Sequence, residues 1–557
     1  MNNIKNIAQF LSALLLAFSF GSCTKDFLDV NKDPNSPTTP ELPRLLSGSE
    51  YYMAQSFSQG NFIGNSLSSY VHQLVSREEQ NYGMNTQANN PYNSWNFAYT
   101  YALANFDAIV GYAEPDGNLV YAGIAKTLKA YAFSVMTDLW GDIPYSEFNV
   151  PGLNAPHPDK SADIYNSLIA LLEAARADLS NANAENTRRP AGDDFFYAGS
   201  AEKWLRLNNT LKLKLLLQSR KAKSEISGWH NKFDALMAEN DFIASGEDFQ
   251  FWFNEKTSPT DHRHPAYLAE YGGGQTTYYI SPFFYEVMRG QTYNCTANPF
   301  AGINDPRTPY YFYNQLKGGE TENNYEYRNG DFVSIFFASN GSNSASSNDK
   351  SLTKIGVYLC GGKYDDGKGG VITGYNSGNG CAPHKMLTFY ALKFMLAELA
   401  LAGETSGDAR ALLKEAIDAA VAHVNSVAAK SGAPAIPAAD RDTLTAAVLA
   451  KYDAATVDGK MQIVMTQKWI ANIFNPVDSY TDYRRTGYPA LFDPRGTSDE
   501  GYGVNPVATP NSPARAPIET VASFPRSLYY PVASETELNP NMTQKTDLTE
   551  KFLFWDK

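Results

Sequence analysis

Side chains capable of chemistry gather at a few points along this sequence. Asp261-His262-Arg263-His264 brings two imidazoles and a carboxylate together, the raw material of a metal site. Arg263 would repel a cation and the spacing identifies no further ligand, so hydrogen-bonded or solvated histidines are expected there and no metal. Asp138 and Asp142 look like an acid–base pair, yet they flank a helix stop. Gly141 suits a left-handed cap and Pro144 blocks resumption of the helix, so a structural role is expected. Asp365-Asp366-Gly367 opens like a calcium loop and lacks the remaining ligands. No G-x-S-x-G elbow occurs, and the seven histidines join no nucleophile motif. The carboxylates of a glycosidase meet only in the fold and leave no spacing to read. No cofactor is expected.

Binding is the chemistry the composition favours. The chain has 35 tyrosines and 31 phenylalanines, and a phenol joins an apolar face to a polar tip, which suits gripping a sugar or peptide. Aromatic rings beside amide side chains outside regular helices are the candidates. One stretch runs from Arg77 to Trp95, with Asn81, Tyr82 and Trp95 as its candidate contacts; Trp95 lies near a helix start and suits packing as well. The other holds Trp252, Tyr271, Tyr278, Tyr279 and Tyr293. Each ring singly is a better candidate for the core than for ligand, while the set is expected to contribute some contacts.

These residues need elements to hold them, and the sequence supplies mostly helices. Ile124, Leu128, Tyr131, Val135 and Leu139 form one face of a helix over Leu119 to Trp140. Ile164, Leu168, Leu172, Ala175 and Leu179 form another, with Ser161 as its expected cap. Further helices are expected over Met386 to Leu401, stopped at Gly403, over Arg410 to Val427 and over Met461 to Phe474. Leu211-Lys212-Leu213-Lys214-Leu215 alternates like a strand. Leu207, Leu211 and Leu215 nevertheless step by four with no turn signal from Trp204 to Lys223, so helix is expected. From about Asp234 to Gly380 the periodicity fades into glycine, asparagine and aromatic clusters, which predicts an irregular lobe of short elements on a helical scaffold.

The net charge of −13, with no long basic run, argues against a nucleic-acid partner. Beyond Cys23 the cysteines are Cys295, Cys360 and Cys381, an odd number with no zinc spacing. Cys360 and Cys381 suit a disulfide or two separate thiols equally.

The N-terminus carries Lys5, an apolar run to Phe20, and then Gly21-Ser22-Cys23, the layout of a secretory signal. The apolar run is too short to span a bilayer. Ending on a cysteine, it resembles a bacterial lipoprotein signal, which implies cleavage after Ser22 and acylation of Cys23. Residues 1–22 are then the signal peptide, 23–43 a lipidated tether broken by prolines, and 44–557 a single domain. Attachment through several acyl chains would hold the body firmly outside the membrane.

A wider resemblance covers nearly the whole chain. Gly141-Asp142-Ile143-Pro144-Tyr145 follows a helix, Lys203-Trp204 leads to Asn209-Thr210-Leu211-Lys212-Leu213, and Asp305-Pro306-Arg307 comes next. Gln467-Lys468-Trp469, Tyr483-Arg484-Arg485-Thr486-Gly487-Tyr488-Pro489, and Pro525-Arg526 with Tyr530-Pro531 and Asn539 continue the order. In this order, behind a lipoprotein signal, the motifs resemble those of the SusD/RagB family, nutrient-binding outer-membrane lipoproteins of Bacteroidetes, in its starch-binding-associated branch. The resemblance implies a mainly α fold, a tetratricopeptide-like scaffold of helix pairs carrying the irregular aromatic- and glycine-rich lobe. Lys25-Asp26 resembles the signal that sends such lipoproteins to the cell surface. The resemblance also implies a SusC-type TonB-dependent outer-membrane transporter as partner, an oligosaccharide or peptide as ligand, and no catalysis. A lipid-anchored glycoside hydrolase and a structural surface lipoprotein are the alternatives.

Overall fold

The structure, a computed structural model, describes residues 41–60, 62–76, 82, 92–272, 276, 278–316, 325–337, 350–492, 503–510, 512 and 523–556. The first helices are α1 (Leu42–Phe57), α2 (Phe62–Tyr70), α3 (Tyr92–Asn96) and α4 (Ala104–Ala113), with a π-helical stretch (Phe97–Leu103) joining the last two. Then come α5 (Leu119–Trp140), α6 (Ser161–Leu179), α7 (Ala201–Gln218) and α8 (Trp229–Glu239). The lobe holds α9 (Pro265–Tyr271), α10 (Pro282–Met288), α11 (Thr308–Tyr311) and α12 (Val357–Cys360). After it the chain returns to long helices: α13 (Phe389–Leu401), α14 (Ala409–Lys430), α15 (Ala438–Ala454), α16 (Val457–Ala471) and α17 (Pro476–Thr486). A second π-helical stretch, Val532–Thr536, lies near the C-terminus. The fold is mainly α, as expected.

Strands occur only in antiparallel pairs among the described residues: β1 (Leu74–Ser76) with β3 (Tyr278–Ile280), β2 (Phe249–Trp252) with β8 (Pro383–Leu387), β4 (Phe312–Tyr313) with β7 (Lys354–Ile355), and β5 (Tyr327–Asn329) with β6 (Phe332–Ser334). Such short pairs cannot stand alone and depend on packing against the helices.

Sequential helices pack as neighbours, α5 on α6 and α13 on α14 most extensively. The expected single stripe on α5 is too modest, because nearly every residue of this helix is buried. Small residues allow the surrounding helices to approach: a Cβ on Gly123 would sit 2.6 Å from Leu179 of α6. The expected face of α6 is buried as read, but Ser161 does not cap it. Lys160 takes the cap position, and Asp142 accepts the Ser161 amide at 2.9 Å, a carboxylate placed where a helix N-terminus favours one. Leu211 to Leu215 is helical within α7.

Gly141 ends α5 at φ 81°, ψ −121°, outside the expected left-handed helical region but still at a positive φ that favours glycine. The chain expected as tether to residue 43 is already helical at Leu42, with Pro43 in the first turn where its missing N–H costs nothing. The irregular lobe begins after α8 rather than at Asp234. Cys295, Cys360 and Cys381 are free thiols, which decides against the disulfide.

Candidate ligand-binding cleft

The motifs that stood out in the sequence are largely braces. Arg307, fully buried, forks onto Asp305 at 2.9 and 2.6 Å and reaches Gln467 of α16 at 3.0 Å, so the Asp305-Pro306-Arg307 turn is bolted to the scaffold. Trp469, two residues on, donates its indole N–H to the Val71 carbonyl at 3.1 Å. Lys468 pairs with Asp482 at 2.7 Å, and Arg485 pairs with both Asp482 and Glu398. Arg484 donates to the carbonyls of Arg526 and Asp138. Asp138 itself accepts from Tyr165, Gln218 and Trp555. The two aspartates flanking Gly141 are therefore structural, as expected.

Against this bolted turn the lobe leaves a cleft of about 920 Å³, closed by the β5–β6 hairpin, the Tyr364–Gly367 loop and the first turns of α15. Its aromatic walls are fixed. Tyr310 packs on Tyr364 with ring centres 4.9 Å apart and donates to the Pro434 carbonyl at 2.7 Å, while Tyr285 stacks on Phe332 at 3.9 Å. Its polar groups are fixed too. Asn314 donates to Asp365 at 2.9 Å and accepts from Thr353 at 2.8 Å. Burial pushes the Asp365 carboxyl up against the hydrogen bonds from Gly367 and Asn314, and Asp331 nearby adds to the rise. Arg289 is the cation on the wall.

Tyr364 also lines a second hollow of about 400 Å³, together with Lys363, Asn379 and the Ser431–Pro434 turn. Asn379 bonds the Lys430 carbonyl, and the Lys430 ammonium lies 5.6 Å from the centre of the Trp252 ring. Tyrosine faces, amides and carboxylates along one groove suit a ligand with apolar faces and many hydroxyl or amide groups. The histidine cluster offers nothing further: Asp261 is held by Arg263 at 2.6 Å, and His264 accepts the Ala266 amide at the start of α9. Among the described residues no three metal-ligating side chains converge.

None of the expected contacts lines this groove; the Tyr271 hydroxyl accepts from the amide of the lining residue Lys363 at 2.9 Å, and the partly buried Trp252 sits against Lys430, next to the Ser431–Pro434 turn. Tyr82 is 6% exposed and its hydroxyl meets His72 at 2.8 Å. Trp95, 3% exposed, packs on Trp140 and donates to Glu535. Tyr271 and Tyr279 are buried, Tyr271 bonding the Ile355 carbonyl at 2.7 Å. These four rings pack inside the protein, where apolar surface gains most from burial. Tyr278 is partly buried on β3, and Tyr293, 44% exposed, lines no cleft described here. Asn81 and Cys23 lie outside the described residues. Sequence reasoning missed Tyr310, Asn314, Asp331 and Tyr364; the one signal was Tyr364 standing directly before the acidic Asp365-Asp366-Gly367 turn.

Comparison with known proteins agrees with the motif order. No curated protein matches the chain. A chitin-binding SusD homolog from Flavobacterium johnsoniae superposes with a TM-score of 0.61 at 19% identity, covering 92% of this chain and 98% of that one. A SusD homolog from Bacteroides fragilis gives 0.63 at 18%, covering 93% and 100%. A SusD/RagB family protein from Bacteroides thetaiotaomicron gives 0.63 at 20%, covering 93% and 99%. These likenesses carry the fold. A SusD-like family profile, described as starch-binding associating with outer membrane, matches residues 34–507. The bracing motifs from Gly141 to Pro489 lie inside that match, and the chain belongs to this SusD-like family.

Proposed function

We propose that the protein is a lipoprotein held at the cell surface by acylated Cys23, which binds a glycan oligomer and passes it to a SusC-type TonB-dependent transporter. The observation that carries the reading is the groove around Tyr310 and Tyr364, where fixed rings, amides and carboxylates line two adjoining hollows with Tyr364 between them. A linear sugar polymer presents alternating apolar faces and hydroxyls, the chemistry such walls complement. The family's starch-binding description and the chitin-binding neighbour favour a glycan over a peptide. The protein itself acts as a hinged lid over the barrel, and its work is capture and release without bond making. Affinity has to be moderate, because a ligand held too tightly would not leave for the barrel.

A glycan and peptide array on the purified protein tests this. Tyr364→Ala is expected to weaken binding of the preferred polymer about three- to tenfold. Its melting temperature should barely move, since Tyr364 is only partly buried. Release of reducing ends from the bound polymer would favour the lipid-anchored hydrolase instead. Extraction from the membrane without a co-purifying barrel would remove the transporter from the reading.

A further inference from the structure

We propose a second binding site, separate from the groove, that takes the end of a neutral glycan in the cleft between Tyr92, Asn96, Asn154 and Glu535. The sugar ring stacks on Tyr92 while the amides and the carboxylate take its hydroxyls. The cleft measures about 280 Å³ and shares no lining residue with the groove.

Its construction sets it apart. The two π-helical stretches among the described residues both line it, the first through Tyr99 and Thr100, the second through Ser534 and Glu535. Such wide turns cost hydrogen-bond geometry and recur at functional sites. Asn149, also on its wall, holds a positive φ of 59°, one of few non-glycine residues here to do so.

The walls are built before any ligand arrives. Trp95 donates to Glu535 at 2.9 Å, Tyr99 donates to the Pro144 carbonyl at 2.9 Å, and Asn539 donates to the Pro156 carbonyl at 2.8 Å. Behind them Tyr530 bonds the Asp142 carbonyl at 2.6 Å. Two motifs from opposite ends of the chain, Gly141 to Tyr145 and Tyr530 to Asn539, thus converge on a small preformed hollow, which binds without the cost of ordering its side chains.

The lining selects the ligand class. It contains no lysine, arginine or histidine, so a phosphorylated, sulfated or uronic sugar would meet no countercharge. Burial pushes the Glu535 carboxyl up, against the hydrogen bond from Trp95. Glu147 is occupied by His157. Tyr92, 43% exposed, offers an open ring face at the mouth. The ligand class rests on reading the protein as a glycan binder; the position of the site does not.

The test is a titration of the full chain with maltose and with N,N′-diacetylchitobiose, followed by the indole N–H resonance of Trp95, assigned by its loss in Trp95→Phe. A saturable shift with at least one of the two sugars is expected. Tyr92→Ala, at an exposed position, should weaken it about tenfold, and Glu535→Gln should weaken it while keeping an acceptor for Trp95. Tyr364→Ala should leave it unchanged. Absence of a saturable shift with both sugars, or a shift abolished by Tyr364→Ala and untouched by Tyr92→Ala, overturns the second site. Polymer binding to the groove is scored separately on the array, so the failure of one reading is distinguishable from the failure of the other.

Discussion

Glu398, near the end of α13, and Lys385, in the strand just before its start, are both buried ionisable groups in very different company. Glu398 receives a two-pronged contact from Arg485, one prong at 2.8 Å, and Arg485 also reaches Asp482, which pairs with Lys468. Burial alone would raise the Glu398 carboxyl, but Arg485 beside it outweighs burial and holds it below the usual range. Lys385 has the Ile473 carbonyl at 2.5 Å and the face of Tyr358, and burial pushes it down to about 7. Around it lie other buried bases. His384 has no partner on either ring nitrogen, His264 bonds one amide, and His423 is shared between Tyr358 and Gln250. The nearest acid, Asp248, is 4.0 Å from His423 and is itself pushed up to about 6 by burial. The helical scaffold is thus held by matched charges, whereas the seam under β2 and β8, where the lobe joins it, packs bases whose burial opposes their protonation. Matched pairs fix geometry until acid protonates their carboxylates, which the neighbouring cations hold below the usual range, whereas buried bases lose stability as soon as protons are available to the unfolded chain.

The contrast can be broken at its strong side first. Glu398→Ala would leave Arg485 buried with its main counter-ion gone, and a loss of about 3–5 kcal/mol is expected in denaturant unfolding. A loss below ~1 kcal/mol would mean that the network adds nothing to the scaffold.

The seam is tested by acid. His384 and His423 are pushed from 6.5 down to about 3, chiefly by burial and further by Lys385. Between those values the unfolded chain binds protons that the folded chain refuses, so stability falls as pH drops through that window, by about 2 kcal/mol per histidine at pH 5. Asp248 works in the opposite sense, because its raised value favours the folded state on acidification. His384→Phe should flatten the slope of melting temperature between pH 5 and 7; an unchanged slope would place the acid sensitivity elsewhere.

The smallest effect is expected at Lys385. Its folded value lies below the unfolded 10.5, so its presence costs stability as pH falls from 10.5 towards 7. Lys385→Met should therefore stabilise by about 1 kcal/mol at pH 7, less than the full relief because the Ile473 carbonyl loses its donor. The gain should shrink at pH 10. Equal gains at both pH values would show that packing, not charge, is responsible.

Much of the scaffold was legible beforehand. The spacing of Ile164, Leu168, Leu172, Ala175 and Leu179 makes one buried face whatever surrounds it, and the four-residue steps of Leu207, Leu211 and Leu215 outweighed local alternation in the same way. The groove was not legible. Tyr310 lies in α11 and Asn314 just after β4, whereas Tyr364 comes from a distant loop, and tyrosine has the same composition signal whether its ring stacks in a core, as Tyr271 does, or lines a cleft, as Tyr364 does. The expected rings of the Arg77 to Trp95 stretch divide on the same ground: Tyr82 and Trp95 are packed, and Trp95 forms a wall of the smaller cleft.

By itself the chain's pattern determined the helices and the order of the bracing motifs, because periodicity and helix stops act over a few residues. Only the tertiary structure decided which rings reach a cleft and which buried charges find partners. Both depend on segments far apart in sequence, such as Lys385 and Ile473, 88 positions apart, or Trp95 and Glu535, 440 apart, whose meeting no local spacing records.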